Sequence, residues 1–170
     1  MKGMNTLRKL ATLAICGLTM LAISSCGTSS SVIQPLSGPH MNGPVYVMGS
    51  CLSKDDSGAD AETCRALRER VHYGLMKRGM YAGSPSSARR KVNLTITYFR
   101  DVGGWARGAV GPMAGKDGLD ATMDVIDNHS GKIIGSASAS VFNASATDST
   151  KPWMINQVSE QLVDFLASGG

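Results

Sequence analysis

Cys26 is the residue whose chemistry the surrounding sequence most clearly prepares. It closes a segment in which Lys2, Arg8 and Lys9 precede the 14-residue apolar stretch Leu10 to Ile23, followed by the small residues Ser24 and Ser25. A basic start, a short apolar run and small residues at the end are the pattern of a secretory leader. The run is too short for a bilayer-spanning helix, which needs about 20 apolar residues. A peptidase cutting at a membrane surface needs small side chains beside the cut, and a cysteine thiol is a strong nucleophile open to covalent modification.

The order Ile23-Ser24-Ser25-Cys26 resembles the lipobox of bacterial lipoprotein precursors, in which the cysteine is acylated and becomes the new N-terminus. That resemblance implies a leader over 1–25 and a lipid attached to Cys26. Each buried methylene contributes roughly 0.8 kcal/mol, and stable anchoring takes more than one chain, so a multiply acylated Cys26 would hold the protein to a membrane. In Gram-negative members of the family, aspartate just after the cysteine retains the protein in the inner membrane. Gly27 stands there instead, which implies the outer membrane, periplasmic face.

Removing 1–25 changes the balance of charge and of thiols. The whole chain carries +4, but three of its basic residues lie in the leader, which leaves 14 basic against 13 acidic groups. Nucleic acid is therefore not an expected partner. Basic residues are still concentrated, ten of them from Arg65 to Arg107 against two acids, which is a solvated face or a surface for lipid headgroups or an anionic envelope polymer. Of the four cysteines, Cys16 leaves with the leader and Cys26 takes lipid, so Cys51 and Cys64 remain. In an oxidising compartment, two leftover thiols predict a disulfide. With no C-x-x-C and no histidine beside either, a redox pair or metal site lacks support.

Other candidates for chemistry are weak. Gly111 to Asp117 is similar to a phosphate loop but has Val110 where a glycine is required and Asp117 where Ser or Thr is required. No Gly-x-Ser-x-Gly elbow is present. Asp120, Asp124 and His129 are the only residues from which an enzymatic site could be assembled, and the two aspartates alternate onto the polar side of a strand. Met76 and Met80, one turn apart, fit core filling better than soft-metal capture, and His72 reads as a surface or boundary residue. No cofactor and no metal are expected. The stretch Val102 to Gly118 is different, since a long glycine-rich connection inside a compact domain tends to be functional or disordered. It offers Trp105, Arg107, Val110 and Met113 as a possible partner-binding loop.

The elements that must position these residues follow from period and punctuation. Residues 26–44 are rich in Ser, Gly and Pro and predict a lipidated flexible tether, leaving 45–170 as a single domain. Val45 to Met48 predicts a short strand ended by Gly49-Ser50, with Cys51 just beyond it. Asp60 caps a helix that carries the stripe Cys64, Leu67, Val71 and Leu75 and stops at Gly79. Val92 to Tyr98 alternates strictly, as does Leu119 to Val125, and Asp127 to Gly131 supplies a turn into a returning strand, Ile133 to Val141. Gly135, Ala137 and Ala139 leave room on that strand for a helix. A final helix starts near Thr150, with Pro152 in its first turn and Ile155, Val158, Leu162, Phe165 and Leu166 as its apolar stripe. The expected fold is α+β in two layers, a mostly antiparallel sheet of about four strands with two helices on one face.

This order is similar to that of small bacterial outer-membrane lipoproteins of the domain-of-unknown-function type. Their hairpins carry Asp-x-x-Ser/Thr-Gly-Lys, here Asp127 to Lys132, and a helix ending in Lys/Arg-Gly, here Lys77-Arg78-Gly79, precedes an alternating strand. The resemblance implies a fold and an address. Taken together, the sequence predicts a non-enzymatic, membrane-anchored periplasmic lipoprotein that serves as an accessory or assembly module with an envelope protein as partner. The alternative is an enzyme or small-ligand binder acting on an envelope component.

Overall fold

The computed structural model describes residues 26–38, 43–102, 116–143 and 151–169. Among the described residues seven elements follow one another: β1 (Cys26–Gln34), β2 (Tyr46–Ser53), α1 (Ala61–Lys77), β3 (Arg90–Arg100), β4 (Asp117–Asp127), β5 (Ile133–Asn143) and α2 (Lys151–Ser168). The five strands form one sheet in the order β1-β5-β4-β3-β2. Both helices pack on the same side of it. The fold class is α+β as expected, with a fifth strand and a mixed sheet where about four mostly antiparallel strands were expected.

Two differences account for that. Residues 26–34, expected as part of a flexible tether, form edge strand β1 and pair antiparallel with β5 from Cys26 opposite Asn143 to Gln34 opposite Ser136. The chain then continues along the same edge, where Ser37 donates from its backbone N–H to the Ile134 carbonyl at 2.7 Å. The second difference is β2, which runs parallel to β3 because α1 makes the crossover between them. β2 also passes through Gly49-Ser50 instead of stopping there. One extra residue between Met48 and Cys51 is taken up as a bulge, and the Ser50 N–H donates to Asn93 Oδ1 at 3.1 Å. Cys51 thus lies within the strand.

The alternating strands keep their period from Val92 to Ile96 and from Leu119 to Val125. A bulge between Ile96 and Tyr98 turns Tyr98, expected on the face of Val92, Leu94 and Ile96, to the uncovered side opposite Asp120. Val92, Leu94 and Ile96 of β3, with Leu119, Ala121, Met123 and Val125 of β4, are buried on the helix side. Leu67, Val71 and Leu75 of α1 and Val158, Leu162 and Leu166 of α2 complete this core. Helix α1 starts where Asp60 accepts from the Thr63 N–H at 2.7 Å and ends before Gly79 in a left-handed conformation, φ 67°. Gly135 does not make room for a helix: a Cβ there would lie 2.7 Å from Leu36 Cδ1, so the residues after β1 occupy that space. His72, read as a boundary residue, is half-buried with its ring 4.3 Å from that of Tyr81.

Candidate functional site

Register fixes what lies at each end of the sheet. Cys26 is opposite Asn143, and Asn143 is opposite Asp117, so the expected lipid-attachment residue is level with the start of β4 and the end of β5. Arg100 at the end of β3 is opposite Gly118, one step away. The connection from Val102 to Lys116 therefore leaves from and returns to the same end as Cys26. Trp105, Arg107, Val110 and Met113 lie within it, outside the described residues, as does Thr150, the expected helix cap. The base of the connection is closed by Asp117, only 1 % exposed, whose Oδ1 accepts from the Val102 N–H at 2.8 Å.

Gly27 has a local reason to be glycine. A Cβ there would stand 2.1 Å from Phe142 Cζ, so the ring of Phe142 lies across the backbone of β1. Lys116 Nζ is 5.0 Å from the centroid of that ring. On the neighbouring strand pair, Tyr98 lies against Gly118 in the same manner, at 3.1 Å from the position a Cβ would take. Two aromatic rings and a lysine are thus gathered on the uncovered side of the sheet at the Cys26 end.

The predicted disulfide is present. Cys51 of β2 and Cys64 of α1 are bonded, with Cα atoms 5.8 Å apart, so the crosslink ties the first turn of the helix to the edge strand beneath it. Asp60, beside that turn, also accepts from Thr63 Oγ1 at 2.5 Å and pairs with Lys151 Nζ at 3.4 Å, which links the starts of the two helices. The Thr63 hydroxyl, its N–H and Lys151, in that order of effect, hold the Asp60 carboxyl down to about 2.

The residues proposed for an enzymatic site are not brought together. Asp120 and Asp124 share the uncovered side of β4, where Asp124 Oδ1 accepts from Ser136 Oγ at 2.6 Å. Around them this side of the sheet carries Ser and Thr: Thr95 pairs with Thr122, Thr122 with Ser138, and Ser138 Oγ lies 2.7 Å from Ser31 Oγ. His129 lies at the opposite end of the sheet from Cys26, in the β4–β5 turn. There Asp127 Oδ1 accepts from the Ser130 N–H at 2.7 Å, Ser130 Oγ at 2.8 Å and the His129 N–H at 3.2 Å. Those bonds, led by the Ser130 N–H, hold the Asp127 carboxyl below its ordinary value. The Asp-x-x-Ser-Gly-Lys motif is therefore turn architecture, completed by Gly131 at φ 69°.

One feature at this end was not read from the sequence. A groove of about 690 Å³ opens between the β4–β5 turn, the residues leading into β3 and the chain just after β1. Arg89, Arg90 and His129 line it, and these come from segments far apart in the chain, so no local motif marks them. Among the described residues no three His, Cys, Asp or Glu side chains are placed to hold a metal ion, and no helix is long and apolar enough to cross a membrane.

No family model matches this chain, and no curated protein matches it in sequence. The fold does match solved structures. The PelC dodecamer of Paraburkholderia phytofirmans is similar at a TM-score of 0.55 and 12% identity, over 82% of this chain and 97% of the PelC chain. A single-residue variant of PelC gives 0.56 and 14%, over 82% of this chain and 98% of that one. Protein XCC0632 of Xanthomonas campestris, of the DUF330 family, gives 0.52 and 12%, over 78% of this chain and 89% of the other. At such identities the likeness establishes an architecture: this α+β fold, helices on one side of a mixed sheet, is one that bacterial proteins of very different sequence also adopt.

Proposed function

We propose that this chain is a lipid-anchored lipoprotein of the bacterial envelope, held at the periplasmic face of the outer membrane, where it acts as a non-enzymatic accessory or assembly module. The observation that carries the reading is the double position of Cys26. It ends a leader-like segment in the sequence, and it is also the first residue of β1 in the fold. Cleavage before Cys26 leaves every described element intact and puts the acylated residue at the end of an edge strand, without a spacer. The domain then sits directly on its anchor.

The non-enzymatic part of the reading is supported by the separation of Asp120 and Asp124 from His129. The dodecameric state of PelC favours assembly over a solitary role. For the partner contact, Trp105, Arg107, Val110 and Met113 are the proposed residues, because their connection joins the sheet at the anchored end. Proteins held at the same membrane surface are within its reach.

Fractionation of cells tests the anchor and the loop together. Wild type is expected in the outer-membrane fraction and Cys26→Ser outside it; a Cys26→Ser variant still recovered from the outer membrane would remove the lipid reading. Protein recovered from membranes with Trp105→Ala and Arg107→Ala is expected to remain anchored and to lose its co-purifying partner. Unchanged recovery of that partner would take the loop out of the account.

A further inference from the structure

We propose that the small cavity between α1 and β2 is a binding site for a soft monovalent cation, Cu(I), held by the imidazole of His72 and the thioether of Met48, with Met76 at its rim. The cavity measures about 160 Å³, and Met48, Arg68, Glu69, His72 and Tyr81 line it. One atom in it is unsatisfied. His72 Nε2 is buried and, among the described residues, has no hydrogen-bond partner. Folded proteins pair nearly all such atoms, so one left without a partner inside a cavity points to a ligand. An imidazole nitrogen with its lone pair free is the commonest protein ligand for a metal ion.

The fold brings the donors together. Val71 and Leu75 turn one side of α1 to the core, and His72, next to Val71, stands at the flank of that stripe above β2. Met48 reaches up from β2 and packs against the core beneath the helix. The two elements are fastened on both sides of this point, by the Cys51–Cys64 bond and by Arg68 Nε, which donates to the Gly49 carbonyl at 3.0 Å. Tyr81 closes the cavity with its ring 4.3 Å from that of His72. Met76 follows His72 by one helical turn, a spacing that sets Cβ atoms roughly 5–6 Å apart. Its side chain is 56 % exposed instead of filling the core, and an unbranched thioether has the freedom to turn toward the cavity mouth.

The donor set decides the ion. Zn(II) takes three or four nitrogen, thiolate or carboxylate ligands, and no such group of His, Cys, Asp or Glu exists among the described residues. One imidazole beside uncharged thioethers suits a soft ion, and Cu(I) is the ion those donors select. The walls carry one charge of each sign. Arg68 is positive, and Glu69 is negative and only loosely paired with Arg65 at 4.0 Å. A single positive charge is therefore not repelled, and an aromatic ring beside it adds attraction. Met123 and Met154 are fully buried and fill the core, whereas Met48 and Met76 are left at its margin next to a histidine.

Anaerobic titration of the full chain, purified in detergent, with Cu(I) in competition with the chelator bicinchoninate tests the site. Ascorbate keeps the ion reduced and leaves the disulfide closed. N-ethylmaleimide first blocks any free thiol, so the result is the same whether or not Cys26 carries lipid. One Cu(I) per chain is expected. His72→Phe and Met48→Leu should each weaken binding at least tenfold, Met76→Leu by a smaller factor, and His129→Ala not at all. Met48→Leu conserves volume, so that variant is expected to melt as wild type does. X-ray absorption of the loaded protein should show sulfur and one imidazole nitrogen around the ion. No transfer of Cu(I) from the chelator, an ion surrounded by nitrogen and oxygen alone, or binding that survives His72→Phe combined with Met48→Leu would overturn the proposal.

Discussion

Replacing Leu67 by alanine is expected to lower the stability of the domain by about 3–5 kcal/mol, the largest effect of any single substitution considered. Leu67 is in the middle of α1 and has no exposed surface; it belongs to the cluster that joins α1, α2 and the helix side of the sheet. Truncation removes the transfer free energy of the missing carbons and leaves a cavity that rigid neighbours fill only in part. A domain of this size has a total stability of about 5–15 kcal/mol, so the loss is a large share of it. Urea denaturation followed by circular dichroism measures the difference. Met76→Ala on the same helix, where the side chain is 56 % exposed, should change stability by no more than about 0.5 kcal/mol. A Leu67→Ala effect as small as that of Met76→Ala would mean that α1 does not pack as described.

Removal of the disulfide has the second largest expected effect. Cys51 and Cys64 are 13 positions apart, and closing a loop of this length restricts the unfolded chain by about 3 kcal/mol in the chain-entropy model. The bond also acts where the sheet has little support, because β2 is an edge strand whose outer side is bridged at its start, between Tyr46 and Tyr81, while Cys51 lies toward its other end. Cys51→Ala combined with Cys64→Ala is expected to lower the melting temperature by roughly 10 °C. A reducing agent should reproduce most of that shift in wild type and none in the double variant. Equal melting of oxidised and reduced wild type would show that the crosslink adds nothing to the fold.

Strands whose side chains alternate between core and solvent were legible, and strands held mainly by their backbone were not. β3 from Val92 to Ile96 and β4 from Leu119 to Val125 bury every second residue against two helices, so the sequence of each carries its period there. The bulge that turns Tyr98 outward leaves no mark in that sequence. β1 reads Cys-Gly-Thr-Ser-Ser-Ser-Val-Ile-Gln and carries none. It is stabilised by its ladder with β5 and by hydroxyl contacts such as Ser31 to Ser138, and neither leaves a hydrophobic pattern. Gly49-Ser50 has the composition of a turn, yet the same backbone freedom serves a bulge when Asn93 is there to receive the Ser50 N–H. The parallel pairing of β2 with β3 has a signal in the order of elements, since a strand, a helix and a strand in succession favour a crossover.

The candidate sites divide in the same way. The Cys51–Cys64 bond was readable because a count of thiols constrains it without any knowledge of the fold, and the proposed lipid site at Cys26 rests on the leader pattern in the same way. The aromatic pair Tyr98 and Phe142, set over Gly118 and Gly27, depends on cross-strand register, which no single segment specifies. The groove around Arg89 and Arg90 depends on three segments meeting at one end of the sheet. Only the excess of basic residues between Arg65 and Arg107 hinted at it, and that excess does not say which of them converge.

The lipid on Cys26 is the claim on which the anchor, the orientation of the sheet and the membrane-proximal place of the glycine-rich connection depend. Intact-mass and peptide mass spectrometry of the protein extracted from membranes tests it most directly. The expected result is a polypeptide that begins at Cys26, with residues 1–25 absent and acyl chains on the cysteine. An unmodified Cys26, or a mature protein that retains its first 25 residues, would contradict the account.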